Sequence, residues 1–285
     1  MNTIFKLLSA LLLPACILAS CQNGTDITYE KASWADSTDY AYVNVDLELP
    51  ASGNDVANAI REDLVEIMNL QVENALDESY NAPTDGTTLT VNEQARTYGT
   101  SVLEVYTIES KKLNDFRFEN DPDTKKYPPI PYSADFILEK AYATEHFVVF
   151  HNTNSIYCSG AHPSETGAGY LTYNLTDGSR LTEVIDSTRL KDLQPILRAG
   201  LQEYFTQQTD GEKVNLDELL LLDSALVPLP TRLPSPAPEG LRFEYMQYEI
   251  APYAAGMPTF TVPYKKIEPY LMPEAKELLK GYTTK

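Results

Sequence analysis

The sequence predicts an α+β fold, with antiparallel sheets, amphipathic helices packed on them and two closely associated subdomains. Three patterns carry that prediction. Val43, Val45, Leu47 and Leu49 alternate with Asn44, Asp46 and Glu48, the two-residue period of a strand with one buried face. Val56, Ile60, Leu64, Ile67 and Ala75 recur at helical spacing with acids and amides between them. From Ala134 onward, short β-rich runs follow one another between turn residues. With 285 residues, 43% hydrophobic and 22% charged, the chain buries a real core as one large or two small domains.

The amino terminus reads as an address. Lys6 supplies a positive charge, and Leu7 to Leu18 form an apolar run too short to cross a bilayer. Leu18-Ala19-Ser20-Cys21 then gives small residues ending in cysteine. This ending resembles the bacterial lipobox, whose cysteine is acylated and becomes the new first residue. Residues 1–20 are therefore expected to be a lipoprotein signal peptide, with Cys21 the lipid anchor. Gln22 to Thr38 is polar and aperiodic, with Trp34 inside it, which predicts a tether over residues 21–38.

A first subdomain is expected over residues 39–132. Its strand ends at Pro50, and a helix runs from Asn54 to about Glu78. After a Pro-Thr-Asp-Gly turn at Pro83 to Gly86, Thr90-Val91-Asn92-Glu93 fits a capping box. Ala95, Tyr98, Val102 and Tyr106 share one face of the helix it opens, which is expected to reach Lys112. Charges and prolines from Asn114 to Pro131 predict an exposed connection.

The second subdomain is expected over residues 133–285. Phe136-Ile137-Leu138, Phe147-Val148-Val149-Phe150, Ile156-Tyr157 and Tyr170-Leu171-Thr172-Tyr173 read as strands, and Asn174 to Gly178 as a hairpin turn. Leu190, Leu193, Leu197, Leu201 and Tyr204 mark a helix that carries Pro195. Asn215 caps a short helix, and Val227 to Gly240 reads as a proline-rich surface loop. Alternation then predicts a strand from Phe243 to Ile250, a loop broken by Pro252, Gly256 and Pro258, and a strand from Thr259 to Val262. A terminal helix is expected from Pro273 to Gly281.

Charge narrows the partners. The chain carries −19 at pH 7, and loss of residues 1–20 removes one lysine and no acid, moving it to about −20. That balance argues against nucleic acid and against adhesion to anionic headgroups, so membrane contact is expected through the lipid alone. It steers cationic partners inward. With Cys16 in the signal peptide and Cys21 acylated, Cys158 has no partner for an intramolecular disulfide.

Cys158-Ser159-Gly160-Ala161-His162-Pro163 gathers the side chains most capable of chemistry. An enzyme site needs Cys158 or Ser159 as nucleophile, His162 as base and an orienting acid such as Glu165. The simpler reading is a tight turn permitted by Gly160, with His162 bonded to a neighbouring loop, and no catalytic residue is assigned. His146 and His151, five apart in a strand, face opposite sides, so no metal site is expected. No glycine-rich phosphate loop or HExxH motif appears, and no cofactor is expected. No acidic pair stands out for sugar hydrolysis among the 41 acids.

The turn Ser159-Gly160-Ala161-His162-Pro163 is followed in order by Tyr170 to Gly178, a long helix, Gln247-Tyr248-Glu249-Ile250-Ala251-Pro252-Tyr253-Ala254-Ala255-Gly256 and Val262-Pro263-Tyr264. This series resembles the RsiV-type extracytoplasmic domain over about Ala134 to Leu271, although that family usually has Gly-Gly-Ala-His where this chain has Ser159-Gly160-Ala161-His162. Residues Asp39 to Tyr132 resemble, more loosely, the smaller domain that often precedes it. The family includes lysozyme-sensing anti-sigma factors and accessory regions of peptidoglycan deacetylases. This sequence shows neither a transmembrane helix with a sigma-binding region nor a deacetylase domain with its metal ligands. The resemblance therefore implies an extracytoplasmic module on a lipid anchor, expected at the outer membrane because Gln22 stands where an aspartate retains some lipoproteins at the inner one. It implies a non-catalytic binding protein for a lysozyme-like cationic protein or cell-wall glycan. The expected contacts are Ser159, Gly160, His162, Pro163, Pro252, Tyr253 and Gly256. The alternative is an unrecognised envelope hydrolase acting on peptidoglycan or glycan.

Overall fold

The computed structural model describes residues 27–75, 89–158, 161–209, 211–222 and 225–282. Cys21, the turn at Pro83 to Gly86, Ser159 and Gly160 lie outside the described residues. The fold is α+β. Its larger sheet has five strands in the order β1 (Tyr29–Ser37), β2 (Ala41–Pro50), β3 (Tyr132–Ala143), β4 (Phe147–Tyr157) and β5 (Ser164–Asn174). The alternation read in β2 holds, since Val43, Val45, Leu47 and Leu49 are all buried in one core.

Residues 29–37 are a strand and not part of a tether. β1 pairs antiparallel with β2 from Tyr29↔Pro50 to Ser37↔Tyr42. It escapes a periodicity reading because it is an edge strand with a solvated outer face, and only Ala32 on it is fully buried. Trp34 packs on α2 (Val91–Asn120), where Gly99 presents bare backbone to the indole.

The sheets are antiparallel, as expected, except at one pair: β2 and β3 run parallel from Ala41↔Tyr132 to Leu47↔Leu138. Two helices between them, α1 (Asp55–Ala75) and α2, supply the long crossover that parallel neighbours require. The expected boundary at 132/133 falls inside β3, after its first residue. Arg61 on α1 is buried and ties the crossover together, donating to the carbonyls of Pro50 at 2.9 Å and Leu89 at 2.6 Å.

α2 opens with the expected capping box, in which Thr90 accepts from the Glu93 amide and the Glu93 carboxylate accepts from the Thr90 amide. It continues past Lys112 to Asn120, so the expected exposed connection from Asn114 is half helix. The reason is Asn114, which is buried and pairs with Ile130 in both directions, its Nδ2 donating to the carbonyl and its Oδ1 accepting from the amide, each at 3.0 Å. A polar residue that reads as loop is here an amide bracket holding the returning chain.

The run Phe147-Val148-Val149-Phe150 is continuous because β4 is buried on both faces. Val148 and Phe150 enter the core shared with α1 and α2, whereas Phe147 and Val149 enter a second core on the opposite side. That second core is built by α3 (Leu190–Gln208) and a three-stranded antiparallel sheet, β6 (Ser235–Ala237), β7 (Gly240–Glu244) and β8 (Thr259–Val262). The short helices α4 (Leu216–Leu219), α5 (Tyr264–Ile267) and α6 (Pro273–Leu278) close it. The proline-rich stretch expected as a surface loop thus contains a strand, together with buried Val227 and Arg232. No helix among the described residues is long and apolar enough to cross a membrane.

Candidate functional site

The strand expected from Phe243 to Ile250 stops at Glu244. Tyr245 makes one more bond to the opposite chain, its amide donating to the Pro258 carbonyl at 2.9 Å, and its hydroxyl donates to the Pro228 carbonyl at 2.8 Å. The chain then turns. The Glu249 amide donates to the Met246 carbonyl at 3.1 Å, while Glu249 Oε2 accepts from the Met246 amide at 2.7 Å. Its other oxygen, Oε1, accepts from the Thr231 amide at 2.7 Å. Between these anchors Tyr248 has φ 64°, the one positive φ at a non-glycine position among the described residues. A left-handed backbone with a Cβ costs about 1–2 kcal/mol and cannot continue a strand.

Pro252 opens a 3-10 turn over Tyr253–Ala255, and Gly256 closes it at φ 71° and ψ −146°, a conformation that favours glycine. The Tyr204 hydroxyl donates to the Ala255 carbonyl at 3.1 Å and pins this turn to α3. The two expected contact stretches meet here. The His162 ring stacks on Tyr253 with centroids 4.9 Å apart and planes 29° apart, and the Tyr253 hydroxyl donates to the Pro163 carbonyl at 2.5 Å. Tyr248 lies next in line, 5.5 Å from Tyr253, and is 61% exposed. Gln247 Oε1 accepts from the Glu165 amide at 3.1 Å, a second tie between the same stretches.

Behind this face lies a buried ion network that sequence reasoning missed. Arg232, 5% exposed, pairs with Glu244 and with Glu165 at 3.4 Å, and donates to the carbonyls of Thr166 at 3.0 Å and Gly167 at 3.3 Å. It joins the loop before β6 to β5 and β7. Beside it, His151 stacks on Tyr170 at 4.4 Å, and the Arg242 guanidinium lies 4.3 Å from the centre of the Tyr170 ring. Burial lowers the His151 pKa, against the opposing pull of Glu244, Glu165 and Glu139. An open depression of about 350 Å³ adjoins the network, with Leu171, Leu181, Leu233, Met246, Arg180 and Arg232 among its lining residues.

Cys158 has other side-chain neighbours than His162. It is a free, half-buried thiol beside Tyr106 and Tyr132, and burial raises its pKa, which suppresses the thiolate a nucleophile needs. Among the described residues no group of three or more His, Cys, Asp or Glu side chains is placed to hold a metal ion. What the arrangement offers is an exposed ring surface on loops fixed from behind.

Residues 183–265 match the family model of DUF3298, a protein of unknown function. The matched segment runs from the residues before α3 to α5 and contains the whole loop of Tyr248 and Tyr253. The fold extends beyond it. A crystal structure of a DUF3298 family member from Bacteroides fragilis superposes with a TM-score of 0.65 at 14% identity, covering 90% of this chain and 99% of that one. A DUF3298 family protein from Pseudomonas aeruginosa gives 0.51 at 13% identity, covering 87% and 96%. No curated protein matches the chain. At these identities the likeness to DUF3298 structures speaks for the fold.

Within the DUF3298 segment the residues that sequence reasoning missed are Arg232, Gln247, Tyr248 and Glu249. Tyr248 and Glu249 lay in a stretch whose alternation mimics a strand, and Arg232 in one whose prolines mimic a loop. Nothing local marks either as special, because the carbonyls and amides they serve come from elsewhere in the chain.

Proposed function

We propose that this protein is a lipid-anchored, non-catalytic binding module of the RsiV type, held at the outer membrane through Cys21. The ligand is a lysozyme-like cationic protein, and the aromatic surface also suits cell-wall glycan, whose sugar rings stack on tyrosines. One observation carries the reading: the stack of His162 on Tyr253 joins two loops, far apart in sequence, into one exposed face. Aromatic side chains on rigid supports are the residues that hold partners at the centre of an interface. The charge of −19 supplies long-range attraction to a basic partner. A hydrolase is disfavoured by the burial of Cys158 and by the ring contact that engages His162.

The test is surface plasmon resonance of the soluble chain against lysozymes, acidic control proteins and peptidoglycan fragments. Tyr253→Ala is expected to weaken binding by about tenfold to a hundredfold, mainly through a faster off-rate. Added salt is expected to slow association, because exposed charges are screened beyond about 8 Å at physiological ionic strength. Failure to bind either a lysozyme or a peptidoglycan fragment, or equal binding to the acidic controls, removes the reading.

A further inference from the structure

The Glu249 carboxylate connects two features that face solvent. Its two oxygens hold the amides of Thr231 and Met246, both of which line the depression of about 350 Å³. Its chain neighbour is Tyr248, whose ring is 61% exposed and whose backbone sits in the left-handed region. A strained residue persists only where its surroundings hold it, and such strain gathers at functional positions. Here a fixed turn holds a large aromatic ring out into water.

The lining of the depression indicates what enters it. Leu171, Leu181, Leu233 and Met246 contribute apolar surface, and Leu233 is 40% exposed. Of the two guanidinium groups that reach it, only that of Arg232 is fully engaged. Arg180 pairs with Asp63 at 3.4 Å, and Arg232 is bonded to Glu165, Glu244 and two backbone carbonyls. Tyr170 and Thr231 also line the wall, so its polar groups do not exclude a sugar, and it is the charge around the depression that favours a basic polypeptide. Around the depression the acids Asp63, Glu139, Glu165, Glu244 and Glu249 outnumber Arg180, Arg232 and Arg242, in a chain of net charge −19.

We propose that the depression and Tyr248 form one docking element for a basic polypeptide, which seats an apolar side chain beside Leu233 and packs against the Tyr248 ring. This rests on the binding-module reading and narrows it to a polypeptide in preference to a glycan. Glu249 is a positioning residue that keeps ring and depression in register.

The experiment measures binding of the soluble chain to egg-white lysozyme, to a basic peptide of lysine and serine, to the same peptide with one central leucine, and to chitohexaose. Tyr248→Gly is expected to raise the unfolding midpoint, since glycine adopts the backbone without strain, and to weaken lysozyme and leucine-peptide binding by about tenfold. Leu233→Asp adds a negative charge that strengthens attraction to basic probes, so a loss of about tenfold there reports the apolar contact. The leucine peptide is expected to bind at least about tenfold tighter than the plain one. The proposal is overturned if leucine makes no difference, or if Tyr248→Gly lowers the midpoint and leaves affinity intact. Chitohexaose binding that these variants abolish overturns it in favour of a glycan. Lysozyme binding lost in Tyr253→Ala but untouched in Tyr248→Gly and Leu233→Asp keeps the module reading and removes the docking element. Binding of none of the probes removes both.

Discussion

A guanidinium buried as deeply as that of Arg232 has given up its hydration, and bonds to Glu165, Glu244 and the carbonyls of Thr166 and Gly167 replace it. Removing one member of such a network strands the others. Arg232→Ala is expected to cost about 3 kcal/mol, the lower end for a broken buried pair, because Glu165 is one-third exposed and regains water. Urea unfolding of the soluble chain measures it, and an unchanged midpoint would mean the network contributes nothing to stability. Gly99 presents the opposite case, a residue valued for what it lacks. A Cβ there would lie 2.0 Å from Trp34 Cε3. Gly99→Ala is therefore expected to push the indole off α2 and to destabilise by about 1–3 kcal/mol, with a change in tryptophan fluorescence, since Trp34 is the single tryptophan.

At the scale of the element, the capping box of α2 couples stability to pH. The amide and hydroxyl of Thr90, in that order, hold the Glu93 carboxyl below its ordinary range. A folded pKa below the unfolded one gives stability that is fully present above about pH 4.3, the unfolded value, and is lost as pH falls through the lowered folded value. Thr90→Ala removes the oxygen that accepts from the Glu93 amide and is expected to cost about 1 kcal/mol at neutral pH. Because the same variant also removes a bond to the carboxylate, its cost is expected to shrink in acid. Denaturant melts of both proteins at about pH 7 and about pH 3 check this, and a cost that grows in acid contradicts it. The loop between β7 and β8 is an element of another kind, fixed by side chains more than by ladder bonds. Glu249, Tyr204 and Gln247 each reach from or to another part of the chain to hold it.

For the whole molecule, two cores share one sheet, and β4 carries alternate side chains into each. With β4 buried on both faces, recognition falls to edges and loops, and it is on loops that the rings of Tyr248, Tyr253 and His162 lie. The anchor belongs to this scale too. If Cys21 carries lipid, Cys21→Ala is expected to abolish fatty-acid labelling and to release the protein from the membrane, because each buried CH₂ contributes about 0.8 kcal/mol to membrane affinity. Labelling retained in that variant refutes the lipobox reading.

The sequence by itself determined the elements whose information is local. Alternation marked β2, helical spacing marked α1 and α3, and Thr90 with Glu93 marked the start of α2, because each pattern reflects the residues' own neighbours. The break in the chain around Tyr253 was legible too, from prolines and a glycine that interrupt a strand pattern. Only the tertiary structure decided the rest. β1 reads as a tether until β2 supplies its partners, Asn114 reads as loop until Ile130 returns to it, and Arg232 reads as loop until Glu244 and Glu165 enclose it. Tyr248 reads as strand until Glu249, bonded to Thr231, turns the chain. In each case the stabilising group comes from a distant part of the chain, and its free energy enters only when folding has closed the intervening loop.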